Sequence, residues 1–182
     1  MHRLFVALRP PRDVRAALLA VAGGVPGARW QEDEQLHVTT RFIGAVDART
    51  AEDVAAALAG VAAPAPIVRI AGTGRFERKG RTDALWARPV PAEPLAALHA
   101  KVDRALARAG IAPEGRRYLP HVTLARFSRG AGDEAAVARW LAETAALATA
   151  PFPLTHLILF ESHLGHAGAR YEAIMRWPLD AA

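Results

Sequence analysis

The chain of 182 residues has no cysteine and no asparagine, only two serines (Ser128 and Ser162) and only two lysines (Lys79 and Lys101). Without cysteine there is no thiol nucleophile, no thiolate metal site and no redox switch. Neither serine lies in a Gly-x-Ser-x-Gly turn, and neither lysine follows the glycines of a phosphate-binding loop. Apolar runs are short, and none approaches the ~20 residues needed to span a bilayer. The stretch Leu4-Phe5-Val6-Ala7-Leu8 is too short for a secretory core and runs straight into Arg9-Pro10-Pro11. The expected protein therefore has no membrane partner and works in the cytoplasm.

Hydrophobic residues make up 52% of the chain and charged residues 23%, the composition of an ordinary globular domain. A chain of this length buries roughly 70% of its unfolded surface, enough for a proper core. One domain is expected over 1–182, as a monomer. Lys and Arg total 23 against 18 Asp and Glu, a net charge of +5 that favours polyanionic partners. The arginine-rich, asparagine-free composition weakens that signal. More local are Arg75-Phe76-Glu77-Arg78-Lys79-Gly80-Arg81 and Arg116-Arg117-Tyr118, where cations alternate with aromatics as in single-strand binders.

Spacing of apolar residues predicts four helices. Val14, Ala17, Leu18 and Val21 form one stripe, and Val54, Ala57, Leu58 and Val61 a second, opened by Thr50 and Asp53 as a capping box. Leu95, Leu98, Val102 and Leu106 form a third, and Val137, Trp140 and Leu141 a fourth behind Asp133-Glu134. Strands are expected at 3–8, 36–43, 67–76, 83–89, 120–127, 154–162 and 169–177, with hairpin turns near Lys79-Gly80 and Gly165. The halves, about 1–90 and 91–182, share one plan: helix, strand, helix, strand, strand. Its central strand carries Leu36-His37-Val38-Thr39-Thr40 in one half and Pro120-His121-Val122-Thr123-Leu124 in the other, the histidines 84 positions apart. The expected class is therefore α+β: two pseudo-symmetric lobes whose antiparallel sheets line a central groove, with helices outside.

Side chains alternate along a strand, so His37 shares a face with Thr39, and His121 with Thr123. The repeat puts two imidazoles and two hydroxyls into one groove. Imidazole titrates near neutrality, so one such group can accept a proton while the other gives one. The hydroxyls can donate to an anionic oxygen. A single His-x-Thr is common and carries no weight alone; two at matching places in a repeat do. His2, His99, His156, His163 and His166 have no such context, and no third ligand with zinc-site spacing accompanies the pair.

The segments Leu36-His37-Val38-Thr39-Thr40-Arg41-Phe42-Ile43-Gly44 and Pro120-His121-Val122-Thr123-Leu124-Ala125-Arg126 resemble the two HxTx signatures of the 2H phosphoesterases. The similarity is greatest to the bacterial and archaeal RNA 2′,3′-cyclic phosphodiesterases, also called 2′-5′ RNA ligases. Arg3 to Leu8 and Leu159 through Tyr171 share it, so it covers nearly the whole chain. The resemblance implies the 2H phosphoesterase fold and hydrolysis of RNA ending in a 2′,3′-cyclic phosphate, or of small cyclic nucleotides, to a 2′-phosphate, with no metal and no cofactor. It implies His121 as the base that activates water and His37 as the acid that protonates the departing oxygen. Thr39 and Thr123 would hold phosphate oxygens, Arg126 would grip phosphate or stack on a base, and Phe42 would stack on the terminal base or serve the core. Both Phe42 and Arg126 lie five positions after their histidine, an odd offset that a straight strand turns away from the groove. The strands must therefore end, twist or bulge between. Alternatives are a related enzyme acting on another cyclic or 2′-5′ phosphodiester, including reversible 2′-5′ ligation, and an RNA-binding module without catalysis.

Overall fold

The computed structural model describes residues 1–128, 131–165 and 168–181. The strands are β1 (His2–Leu8), β2 (Ala28–Trp30), β3 (Val38–Val46), β4 (Ile67–Arg78), β5 (Arg81–Val90), β6 (Val122–Phe127), β7 (Phe152–Pro153), β8 (His156–Gly165) and β9 (Gly168–Pro178). The helices are α1 (Arg12–Ala20), α2 (Ala48–Ala59), α3 (Glu93–Arg108) and α4 (Glu134–Glu143), and a 3₁₀ turn spans Asp33–Gln35. Every expected helix and strand is present. No helix among the described residues is long and apolar enough to cross a membrane.

Local chemistry explains several of these boundaries. The Asp133 carboxylate accepts from the backbone N–H groups of Ala135 and Ala136 and so opens α4. For α2 the cap is Asp47, which accepts from Thr50 N; the box expected at Thr50 and Asp53 lies one turn too late. Asp47 stands three residues ahead of Thr50 and meets the same need for an acceptor at the free N–H groups. The β4–β5 hairpin turns at Lys79 and Gly80, both at positive φ, which matches the right-handed twist of the strands it joins.

The strands hydrogen-bond in the order β7-β4-β5-β6-β3-β1-β8-β9, with β2 added to β6. The sheet is antiparallel throughout, and its β3–β6 junction is narrow: only Val38 pairs with Val122. On one side lie β3, β1, β8 and β9; on the other β6, β5, β4 and β7. The pairing does not follow the sequence halves. The β4–β5 hairpin from the first half joins β6 from the second, and the β8–β9 hairpin joins β1. Strand β1 uses both edges, one for β3 and one for β8, so the two halves of the sequence exchange hairpins.

One face of the sheet carries the main core, where Leu4, Val6, Leu8, Val38 and Val122 pack with Leu18, Val54, Leu58, Val102 and Leu106 of the helices. The opposite face of β1 and β8 presents a separate small cluster, Phe5, Ala7, Ile158 and Phe160, with Tyr171 against it. That second face is the groove.

Candidate active site

The two His-x-Thr segments meet at the narrow junction. With Val38 opposite Val122, the antiparallel register extended one residue each way sets His37 opposite Thr123 and Thr39 opposite His121. All four side chains then share one face. Each histidine is the residue just before its strand, where the chain is entering regular pairing. The 3₁₀ turn delivers His37, and Gln35 within it ties to β9 by donating from Nε2 to Ala169 O at 2.8 Å. Asp33 of the same turn is clamped by Arg15 Nε at 2.8 Å and Arg9 Nη2 at 3.0 Å.

Both imidazoles are oriented in the same way. His37 Nδ1 lies 2.7 Å from Gln35 O, and His121 Nδ1 lies 2.8 Å from Leu119 O. A carbonyl only accepts, so Nδ1 carries the hydrogen in each ring and Nε2 of the neutral ring is the acceptor. The Thr39 hydroxyl, 3.1 Å from His37 Nε2, donates to it in that state.

The surroundings differ. His37 lies on the aromatic floor, 5.0 Å from the Phe5 ring and 5.3 Å from Tyr171 edge-on. Burial there pushes its pKa down to about 4, and the charges of Arg126, His121 and Arg9 act in the same direction. His121 meets Phe76 edge-on at 4.8 Å and Trp86 at 6.3 Å. Burial, then Arg126, lowers its pKa too. Both rings are therefore neutral near pH 7 with the groove empty of anions.

The odd offset of Phe42 and Arg126 is resolved by bulges. Pairing of β1 with β3 runs Val6↔Arg41 and then Ala7↔Thr39, skipping Thr40. Pairing of β5 with β6 runs Leu85↔Ala125 and then Trp86↔Thr123, skipping Leu124. Each extra residue stands three positions after its histidine and restores the face of the fifth. Phe42, 51% exposed, and Arg126 thus return to the histidine side. The bulge in β3 is pinned from behind: Tyr118 donates its hydroxyl to Thr39 O at 3.1 Å, and His99 Nδ1 donates to Thr40 O at 2.7 Å. Tyr118 and His99 stack at 4.3 Å, and burial raises the Tyr118 pKa. Buried Arg41 completes the support, donating to Asp103 Oδ1 at 2.6 Å and to the carbonyls of Phe42 and Ala112.

A cavity of about 1380 Å³ opens from the junction and is lined by His37, Phe42 and Arg126. Thr39, His121 and Thr123 do not line it. Four further arginines do: Arg3, Arg29, Arg116 and Arg170. Of the two basic and aromatic runs, Arg116-Arg117-Tyr118 brings Arg116 to the cavity, whereas Arg75, Arg78, Lys79 and Arg81 do not line it. Arg75 is occupied by Glu77 at 2.7 Å and Glu134 at 3.1 Å. Of the other histidines, His2 pairs with Glu161 and His163 with Glu172, while His156 bonds Thr155; His166 lies outside the described residues. Among the described residues no group of three or more His, Asp or Glu side chains is placed to hold a metal ion.

The sequence profile of the 2′-5′ RNA ligase superfamily matches residues 9–166. The chain belongs to the 2′-5′ RNA ligase superfamily. A member from Aeropyrum pernix, named RNA 2′,3′-cyclic phosphodiesterase, is 31% identical over 83% of this chain and 85% of its own length. A Geobacillus stearothermophilus protein of the same name is 25% identical over 96% of this chain, which spans only 56% of that relative. Among solved structures, a Thermus thermophilus protein superposes with TM-score 0.77 at 25% identity, covering 97% of each chain. Escherichia coli LigT, crystallised with 3′-AMP, superposes with TM-score 0.76 at 22% identity over 98% of each chain, which establishes the shared 2H phosphoesterase fold.

For this superfamily member, sequence reasoning missed Arg29 and Trp30 on β2, and the Tyr118–His99 support. Strand β2 is three residues long behind Gly23, Gly24, Pro26 and Gly27, too short for any period to register. Tyr118, three residues before His121, was visible only as part of a basic–aromatic run.

Proposed function

We propose that this protein hydrolyses the 2′,3′-cyclic phosphate at RNA ends to a 2′-phosphate, with His37 and His121 as a paired acid and base. Membership of the superfamily and the names of its relatives support the phosphodiesterase class. The observation that carries the mechanism is the shared register and tautomer: two imidazoles on one sheet face, each with Nδ1 held by a carbonyl, so that Nε2 is the nitrogen that takes or gives a proton, shared in His37 with the Thr39 hydroxyl.

In this reading water attacks phosphorus and gives its proton to His121 Nε2. The bond from phosphorus to the 3′ oxygen breaks, and that oxygen takes a proton from His37 Nε2. The product is a 2′-phosphomonoester and a free 3′-hydroxyl, and the two rings exchange protons with solvent before the next turnover. Thr39 and Thr123 donate to non-bridging oxygens of the reacting phosphate, and Arg126 adds positive charge beyond them, on the β2 side of the groove. Phe42 offers an exposed ring to the terminal base. His37 must become charged to act as the acid, and the arriving phosphate favours that: its negative charge both attracts imidazolium and offsets Arg126.

The test is product analysis by phosphorus NMR on a short RNA ending in a 2′,3′-cyclic phosphate. The expected product is the 2′-phosphate alone. Formation of the 3′-phosphate, joined strands only, or binding without turnover would overturn the reading.

A further inference from the structure

Strand β2 sits where β3 has turned away from β6. It pairs Ala28, Arg29 and Trp30 with Phe127, Arg126 and Ala125. Arg29 and Arg126 are thus directly opposite each other on one face of the sheet. Like charges in that position repel, and neighbouring strands are only about 4.8 Å apart. Opposite Arg126 on its other edge is Ala84, which offers no compensating charge. Among the described residues neither guanidinium has a carboxylate at ion-pair distance, whereas Arg9, Arg15, Arg41 and Arg75 each have one. Both Arg29 and Arg126 line the same cavity and are exposed to it. Two unneutralised forks, set side by side at the edge of a groove, are an arrangement an anion stabilises.

The position of the pair tells which anion. Along β6 the His121–Thr123 end meets β3, and Arg126 lies beyond the Leu124 bulge, one pleat further from the junction. Arg29 is another strand across from Arg126, so the two guanidiniums lead away from the reacting groups rather than enclosing them.

We propose that Arg29, with Arg126, clamps a second, non-reacting phosphate of the substrate: the internucleotide phosphate one residue upstream of the cyclic end. This rests on the cyclic phosphodiesterase reading and narrows it to RNA ends of two or more nucleotides. A cyclic mononucleotide has no group for the clamp.

The experiment compares three substrates with the same base: the 2′,3′-cyclic mononucleotide, the same nucleotide with a 5′-phosphate, and a dinucleotide ending in the cyclic phosphate. Arg29→Gln is expected to raise KM for the dinucleotide roughly ten- to a hundred-fold, the range for one charge-assisted contact, with a much smaller change in kcat. Its effect on the unphosphorylated mononucleotide is at least tenfold smaller. A loss on the 5′-phosphorylated nucleotide equal to that on the dinucleotide means the clamp reads a terminal phosphate as well, which also supports it. Arg139→Gln removes the same charge from exposed α4 surface and controls for net charge. Calorimetric binding of the dinucleotide bearing a terminal 2′-phosphate gives an arm independent of turnover. There Arg29→Gln weakens affinity and lowers the salt slope by about 0.7. If the protein turns over none of the three substrates, the proposed activity fails while this binding arm still decides the clamp. Equal losses on mononucleotide and dinucleotide, or unchanged dinucleotide affinity, would overturn the proposal.

Discussion

His37 and His121 have the same residue type, the same Nδ1 restraint and the same neighbour two positions on, yet they occupy different surroundings. His37 lies on Phe5 and Tyr171 at the cavity; His121 is walled by Phe76 and Trp86. Replacing either by Ala is expected to cost on the order of 10²–10⁴ in rate, the range for a lost general acid or base. The double variant should be little worse than a single one, because the pair works as a unit. Thr39→Ala and Thr123→Ala should cost less, about 10- to 100-fold each, as lost hydrogen bonds to an anion. Roles separate with a p-nitrophenyl phosphodiester, whose leaving group needs no proton. His37→Ala regains rate on that substrate and His121→Ala does not; the opposite pattern would exchange acid and base.

Among the elements, the most informative devices are the two bulges. The sequence made a bulge necessary, because Phe42 and Arg126 fall at an odd offset from His37 and His121. Thr40 and Leu124 themselves give no local sign of one, since a bulge is set by pairing with β1 and β5, strands distant in sequence. For the same reason the four helices and seven long strands are legible from periodicity, whereas the exchange of hairpins between the two halves of the sequence is not. Strand β4 shows how a neighbouring element holds the site. Gly74 lies opposite Trp86, and a Cβ there would collide with the Trp86 ring. Trp86 in turn stacks on Phe76 at 5.3 Å, and both rings touch His121. Gly74→Ala should therefore destabilise the fold by about 1–3 kcal/mol, as overpacking does, and also lower kcat by displacing the His121 wall. Thermal unfolding read beside kcat checks this: a stability loss with kcat unchanged would disconnect β4 from catalysis.

At the scale of the whole molecule, the groove couples the ionisation of His37 to stability. His37 has its folded pKa held at about 4, below the ordinary 6.5, so the unfolded chain binds more protons between those values. The contribution to stability is complete above about pH 6.5 and is lost as pH falls toward 4, amounting to no more than about 3 kcal/mol. The carboxylates of Asp33 and Glu134, held low chiefly by their hydrogen bonds to Arg15 and Thr82, lose their contribution only further down, below their ordinary values of 3.8 and 4.5. Denaturant unfolding at pH 7 and pH 5 should show a drop that is smaller in His37→Gln. An equal drop in both would place the acid sensitivity elsewhere.

Catalysis by two coupled imidazoles on one sheet face is tested most directly by the pH dependence of cyclic nucleotide hydrolysis from about pH 3 to 9, a range that takes in the low His37 pKa, with and without a chelator. One ring must be neutral and the other charged, so both kcat/KM and kcat should follow a bell whose limbs belong to the pair. Bound phosphate favours imidazolium, so both limbs of the kcat profile should lie at higher pH than those of kcat/KM, and the chelator should change neither. A single ascending limb, with activity lost to chelator and restored by added metal, would contradict the account.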